Sequence, residues 1–166
     1  MSLRFGLLLA LCFQFSLAFA SPERPKLVVG IVIDQMRWDY LYKFQERYGK
    51  KGFNRLLKEG FSFDNCMLNY VPSYTAIGHS TIYTGSVPSI HGIAGNDFID
   101  QKSGKAIYCT EDSSVKAVGI DPESKAGKMS PFNLKTTTIT DQLRYATNFR
   151  SKVIGVSLKE IGRAHV

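Results

Sequence analysis

Two runs rich in Val and Ile, Lys26–Ile33 and Lys152–Leu158, limit the folds open to this chain more than anything else in it. A strand wetted on one face alternates apolar and polar residues, whereas a strand covered on both faces does not. Neither run alternates, so both read as buried strands of a parallel sheet. The first run ends in Asp34, which places a carboxylate just past the carboxyl end of a strand, where open α/β sheets bind ligands.

The intervening sequence supplies helices. Trp38, Leu41, Phe44 and Tyr48 recur at helical spacing, and Phe53, Leu56 and Leu57 suggest a shorter helical piece ended by Gly60. Thr75 to Tyr83 reads as a helix capped by Ser73 or Thr75 and closed by Gly85 and Pro88. Thr138 and Asp141 form a capping pair ahead of an apolar face of Ile139, Leu143 and Ala146. Phe61–Leu68 reads as a further strand, and Phe98 and Ala106–Tyr108 as short strands in a loop-rich stretch. Strands alternating with helices imply right-handed crossovers and helices on both faces of the sheet. The expected class is α/β, a three-layer α/β/α sandwich with a mostly parallel sheet.

Residues 1–20 read as a signal peptide: a basic start at Arg4, an apolar stretch from Phe5 to Phe19, and a small-x-small site at Ala18-Phe19-Ala20. The expected destination is periplasmic or secreted, with no stable membrane insertion after cleavage, because the stretch is short for a span of about 20 residues. The domain proper is then 21–160. The last six residues, 161–166, back-translate to ATC-GGA-AGA-GCA-CAC-GTC, a common short-read sequencing adapter. They are read as an artefact, and no function is given to Arg163 or His165. Cleavage leaves Cys66 and Cys109, whose spacing neither requires nor forbids a bridge. Net charge is +7, of which Arg4 contributes one unit. The basic residues are scattered without interleaved aromatics, which disfavours a nucleic-acid surface and is compatible with anionic substrates.

Few residues could carry chemistry. Asp34 is either a ligand at the sheet edge or a plain helix cap. Thr75 is either a cap or a nucleophile at the positive end of a helix, and as a weak free nucleophile it would gain from a coordinating metal shared with Asp34. Asn96, in Gly92-Ile93-Ala94-Gly95-Asn96-Asp97, is either a turn residue or a donor to an anionic oxygen. Lys159 closes the second run and is either solvated or a grip for phosphate. His79 and His91 each lack a second ligand at metal spacing and read as structural.

Taken in order, Ile33-Asp34-Gln35-Met36-Arg37, Pro72-Ser73-Tyr74-Thr75-Ala76-Ile77-Gly78-His79, Thr84-Gly85 with Pro88, His91-Gly92 and Gly95-Asn96-Asp97 resemble the alkaline phosphatase superfamily. Within it the match is to bacterial periplasmic, phosphate-irrepressible alkaline phosphatases with a threonine nucleophile. The resemblance runs from about Lys26 to Lys159, the N-terminal part of a longer family chain, so the sandwich would be incomplete here. It implies a zinc-dependent phosphate monoester hydrolase working through a phosphothreonine intermediate, with two zinc ions in the complete protein and small-molecule phosphate esters as substrates. Asp34 would be a zinc ligand, Thr75 both nucleophile and ligand of the same zinc, and Asn96 a hydrogen-bond partner of a non-bridging phosphate oxygen. Lys159 would contact the phosphoryl group; its paired arginine would fall at Ile161, inside the anomalous tail. The remaining zinc ligands would lie downstream, so the fragment itself is expected to be inactive.

Two other readings stay open. A nucleotide pyrophosphatase/phosphodiesterase of the same superfamily shares the Asp, Thr and Asn elements, and Lys159 favours the monoesterase. A non-catalytic exported α/β binding module would need neither zinc nor a free Thr75 hydroxyl. A sulfatase lacks support, because no C-x-P-x-R motif stands near Cys66. Oligomeric state is not legible in the sequence.

Overall fold

The computed structural model describes residues 24–116, 118–121, 124 and 127–157. The signal peptide reading, Lys159 and the 161–166 tail lie outside the described residues. The chain divides into two units between Val32 and Ile33. Of the first, residues 24–32 are described, and they run without helix or ladder.

In the second unit, α1 (Tyr40–Lys43) is followed by a 3₁₀ turn at Gln45–Arg47, then α2 (Phe53–Glu59), α3 (Thr75–Thr84) and α4 (Pro88–His91). Strands β1 (Asp97–Ile99) and β2 (Ala106–Tyr108) come next, then a 3₁₀ turn at Pro131–Asn133 and α5 (Ile139–Ala146). Local signals explain most boundaries. Gly85 stops α3 in the left-handed region (φ 63), and its amide donates to the Thr81 carbonyl at 2.8 Å. Pro88 opens α4 at the position where its missing amide costs nothing. Thr138 and Asp141 make a reciprocal capping box on α5. β1 and β2 form an antiparallel hairpin pairing Asp97 with Tyr108, Phe98 with Ile107 and Ile99 with Ala106.

The sheet departs from expectation. Among the described residues the one ladder is this antiparallel hairpin, and no parallel sheet forms. Among the described residues, 27–33 and 152–157 join no strand ladder; Ile31 is 76% and Val156 92% exposed. A parallel strand cannot close on its sequence neighbour and needs a partner brought by a crossover. No described segment supplies one. Residues 61–68 likewise form no strand, and the helical spacing from Trp38 to Tyr48 yields only α1 and its 3₁₀ turn.

Order concentrates around α3. Ala76, Ile93 and Cys109 are fully buried against one another, with Phe98, Tyr108 and Leu134 packed on them. This small core joins the start of α3 to the loop after α4 and to the hairpin, the elements that carry Thr75 and Asn96. No described helix is long and apolar enough to cross a membrane.

Candidate active site

Asp34 and Thr75, forty-one residues apart, meet: the Thr75 hydroxyl donates to Asp34 Oδ2 at 3.1 Å. Asp34 occupies an exposed turn immediately after the apolar run. The next residue, Gln35, holds φ at 58, a left-handed conformation costing a non-glycine residue about 1–2 kcal/mol. That turn re-aims the chain beside the carboxylate, the kind of local strain that clusters at functional sites.

Thr75 is half-buried as the first residue of α3, so its hydroxyl sits in the positive field of the helix N-terminus. The cap departs from expectation. Neither Ser73 nor Thr75 caps the helix; Tyr74 holds the N-cap position without a side-chain bond. The orphan amide of Ala76 instead donates to Asn96 Oδ1 at 2.9 Å. A cap delivered from twenty residues away satisfies a buried donor and also fixes the carboxamide beside the helix start. With Oδ1 so engaged, Asn96 has Nδ2 left, a donor, to turn toward an anionic oxygen. Its carbonyl is held by the Cys109 amide at 2.8 Å. Preceding it, Gly95 is buried so tightly that an added Cβ would lie 2.8 Å from the Asp97 carbonyl oxygen, so no larger residue fits the approach.

The histidines serve elsewhere. His79 Nδ1 donates to the Thr75 carbonyl at 2.8 Å, one turn back along α3. His91 is fully buried, with its ring nitrogens engaged by Ile93 and Thr81. The Tyr70–Thr81 hydrogen bond at 2.5 Å had no signal in the sequence, since no spacing rule links those positions. Both cysteines are free; Cys66 is exposed, while Cys109 is buried and its thiol is pushed up to about 11 by desolvation.

The donor set fits part of a zinc site. Oxygen ligands at about 2.0–2.2 Å in a tetrahedral shell lie about 3.3–3.6 Å from one another. The Asp34–Thr75 separation of 3.1 Å is close to that spacing. Two oxygens fill half of a four-coordinate shell, and among the described residues no group of three or more His, Cys, Asp or Glu side chains gathers at metal distance. A carboxylate, a helix-terminal hydroxyl and a fixed carboxamide are nonetheless a set suited to phosphoryl groups.

Residues 28–162 match the family of type I phosphodiesterases / nucleotide pyrophosphatases. The chain is 59% identical over 98% of its length to a protein of Myroides odoratus named a calcium-transporting ATPase, covering 30% of that protein. It is 63% identical over 84% of its length to alkaline phosphatase PhoV of Synechococcus elongatus, covering 25%. It is 61% identical over 82% of its length to alkaline phosphatase PafA of Elizabethkingia meningoseptica, also covering 25%. The crystal structure of wild-type PafA superposes with a TM-score of 0.80 at 58% identity, over 86% of this chain and 27% of that one. A PafA variant in which a threonine becomes serine, and an asparagine, a lysine and an arginine become alanine, matches with the same TM-score. The match carries the α/β fold of that phosphatase, and the chain spans between a quarter and a third of the length of these relatives.

Proposed function

The chain belongs to the type I phosphodiesterase / nucleotide pyrophosphatase family, within the alkaline phosphatase superfamily, and from that premise we propose that its complete protein hydrolyses phosphate monoesters through a covalent phosphothreonine. The observation that carries this reading is the 3.1 Å contact between Asp34 and Thr75 at the start of α3. The threonine and asparagine altered in the PafA variant are twenty-one positions apart, as are Thr75 and Asn96. The lysine altered there follows its threonine at an interval within one position of that from Thr75 to Lys159. We assign the remaining strands of a three-layer, mostly parallel sheet to the rest of the complete protein, with the runs at 27–33 and 152–157 as two of its members.

In the proposed reaction the Thr75 oxygen attacks phosphorus in line. The Oγ–P bond forms, the ester P–O bond breaks, and the alcohol departs with a proton. Water then attacks the phosphothreonine, breaking Oγ–P, releasing phosphate and restoring the hydroxyl. The proton that Thr75 gives up begins on a hydrogen bond to Asp34 Oδ2. Asn96 Nδ2 stabilises a non-bridging oxygen, and Lys159 offsets the second negative charge that distinguishes a monoester from a diester. Asp34 and Thr75 would hold one zinc ion, which when bound makes the threonine oxygen nucleophilic near neutral pH and screens charge on phosphorus. Further ligands and a second zinc would come from the rest of the protein, and residues 1–20 would direct it to the periplasm or outside the cell.

The family description also favours a diesterase acting on nucleotides. Turnover of 4-nitrophenyl phosphate and bis(4-nitrophenyl) phosphate by the complete protein separates the two. Thr75→Ala should abolish monoester turnover with folding intact; unchanged turnover would remove the nucleophile assignment. A protein that turns over neither ester would leave the binding-module reading in place.

A further inference from the structure

The imidazole of His91 joins three stretches that between them carry Thr75 and Asn96. The ring is fully buried at the end of α4. The Ile93 amide donates to its Nδ1 at 3.1 Å. An amide N–H can only donate, so Nδ1 is the bare nitrogen and the proton of the neutral ring sits on Nε2. Nε2 in turn donates to Thr81 Oγ1 at 3.2 Å, and that hydroxyl shares a 2.5 Å hydrogen bond with Tyr70. Thr81 belongs to α3, which begins at Thr75; Tyr70 lies on the segment entering that helix; Ile93 starts the run that ends at Asn96. The His91 carbonyl also accepts from the Lys135 amide at 2.9 Å, which ties in a fourth stretch.

The bond that matters for chemistry, from the Ala76 amide to Asn96 Oδ1, spans the same two elements that His91 fastens together. Ile93 packs directly in the core with Ala76. A change at either ring nitrogen therefore slides the Ile93–Asn96 run against α3 and alters where the carboxamide points. Misplacing a reacting group by about 1 Å costs on the order of 100-fold in rate. We infer that His91, as the neutral tautomer protonated on Nε2, is a positioning residue that sets Asn96 against the start of α3, with Thr81 and Tyr70 completing the strap. The inference rests on the phosphoryl-transfer reading above for its kinetic consequence, and on the hydrogen-bond geometry alone for its structural one.

The test uses the complete protein with His91→Gln, which can reach Thr81 but leaves the Ile93 amide without its acceptor, and His91→Asn, which keeps an acceptor near Ile93. Amide exchange at Ala76 is followed alongside kcat/KM for 4-nitrophenyl phosphate, with and without Asn96→Ala. His91→Gln should speed exchange at Ala76 about tenfold while leaving Asp141, in the α5 capping box, unchanged. It should lower kcat/KM on the order of 100-fold in the parent background and less than about threefold beside Asn96→Ala, because the two act through one carboxamide. His91→Asn, which restores the acceptor for Ile93 but not the donor to Thr81, should recover part of both. Equal losses in the two backgrounds, or unaltered exchange at Ala76, would overturn the inference. If His91→Gln does not fold, Thr81→Val removes a single hydroxyl and should show the same non-additivity. Exchange that responds in a protein without monoester turnover would uphold the strap and overturn the phosphatase reading instead.

Discussion

Asn96 performs two jobs with two different atoms, and they can be separated. Its Oδ1 accepts the Ala76 amide at 2.9 Å, and Ala76 is fully buried, so truncation leaves a donor with neither partner nor water. An unsatisfied buried donor costs about 1–3 kcal/mol, and lost N-terminal caps typically cost about 1 kcal/mol. Asn96→Ala should therefore destabilise the protein by about 1–2 kcal/mol. Asn96→Asp keeps an oxygen in the same place and adds a negative charge near a helix N-terminus, which is favourable by about 0.3–1 kcal/mol. Its stability should equal or slightly exceed that of the parent. Activity should follow the other atom. Loss of one donor to a developing anionic oxygen costs about 10²–10³ in kcat, and a carboxylate facing phosphate adds repulsion. Asn96→Asp should thus be fully stable and at least about 100-fold slower, whereas Asn96→Ala should be both slower and weaker. Urea midpoints and 4-nitrophenyl phosphate turnover on the complete protein read the two effects independently. An Asn96→Asp protein that unfolds as early as Asn96→Ala refutes the cap; one that keeps its rate within about threefold refutes the donor.

Three further outcomes follow from the same coordinates. Cys66 should react with a thiol reagent at pH 8 long before Cys109, whose thiol is buried and raised to about 11; equal rates in the folded protein would contradict that burial. Asp112 is held below the ordinary carboxylate value of 3.8 by the Ser114 and Ser130 hydroxyls and the Ser114 amide. Folding favours its ionised form, so its contribution is complete above the ordinary value and is lost as pH falls below it. Ser114 amide exchange should quicken in that acid window, and Asp112→Asn should flatten the response. Ser80 is fully buried, and its hydroxyl has no partner among the described residues. Ser80→Ala should raise stability by about 1 kcal/mol in a denaturation assay, and a loss instead would mean that the hydroxyl is satisfied in the complete protein.

What could be read from the sequence divides along the range of the interactions. Gly85 and the Thr138–Asp141 box act within one helical turn, and each stands where local chemistry put it, whereas Pro88, read as closing α3, instead opens α4. The short strands at Phe98 and Ala106–Tyr108 were also legible, although their pairing as a hairpin was not read from the sequence. Ser73 and Thr75 misled as caps, since the acceptor for the Ala76 amide arrives from Asn96 across the core. The apolar runs pointed to the α/β class of the matched phosphatase, but apolarity names a strand without naming its partner, and among the described residues neither run joins a ladder. The meeting of Asp34 and Thr75 followed from where strand ends and helix starts gather in such folds. The Tyr70–Thr81–His91 strap had no such guide, because its members follow no period and no motif spacing.

Residues 27–33 hold seven uncharged positions, mostly β-branched, mostly exposed and paired in no ladder among the described residues. Such a stretch is a template for any extended polypeptide at hand, including another copy of itself. This polypeptide made alone is therefore poised to polymerise, and solubility rather than chemistry would be the first obstacle at the bench. In the complete protein proposed above, the same stickiness would recruit neighbouring strands during synthesis, so one trait would serve assembly and threaten precipitation.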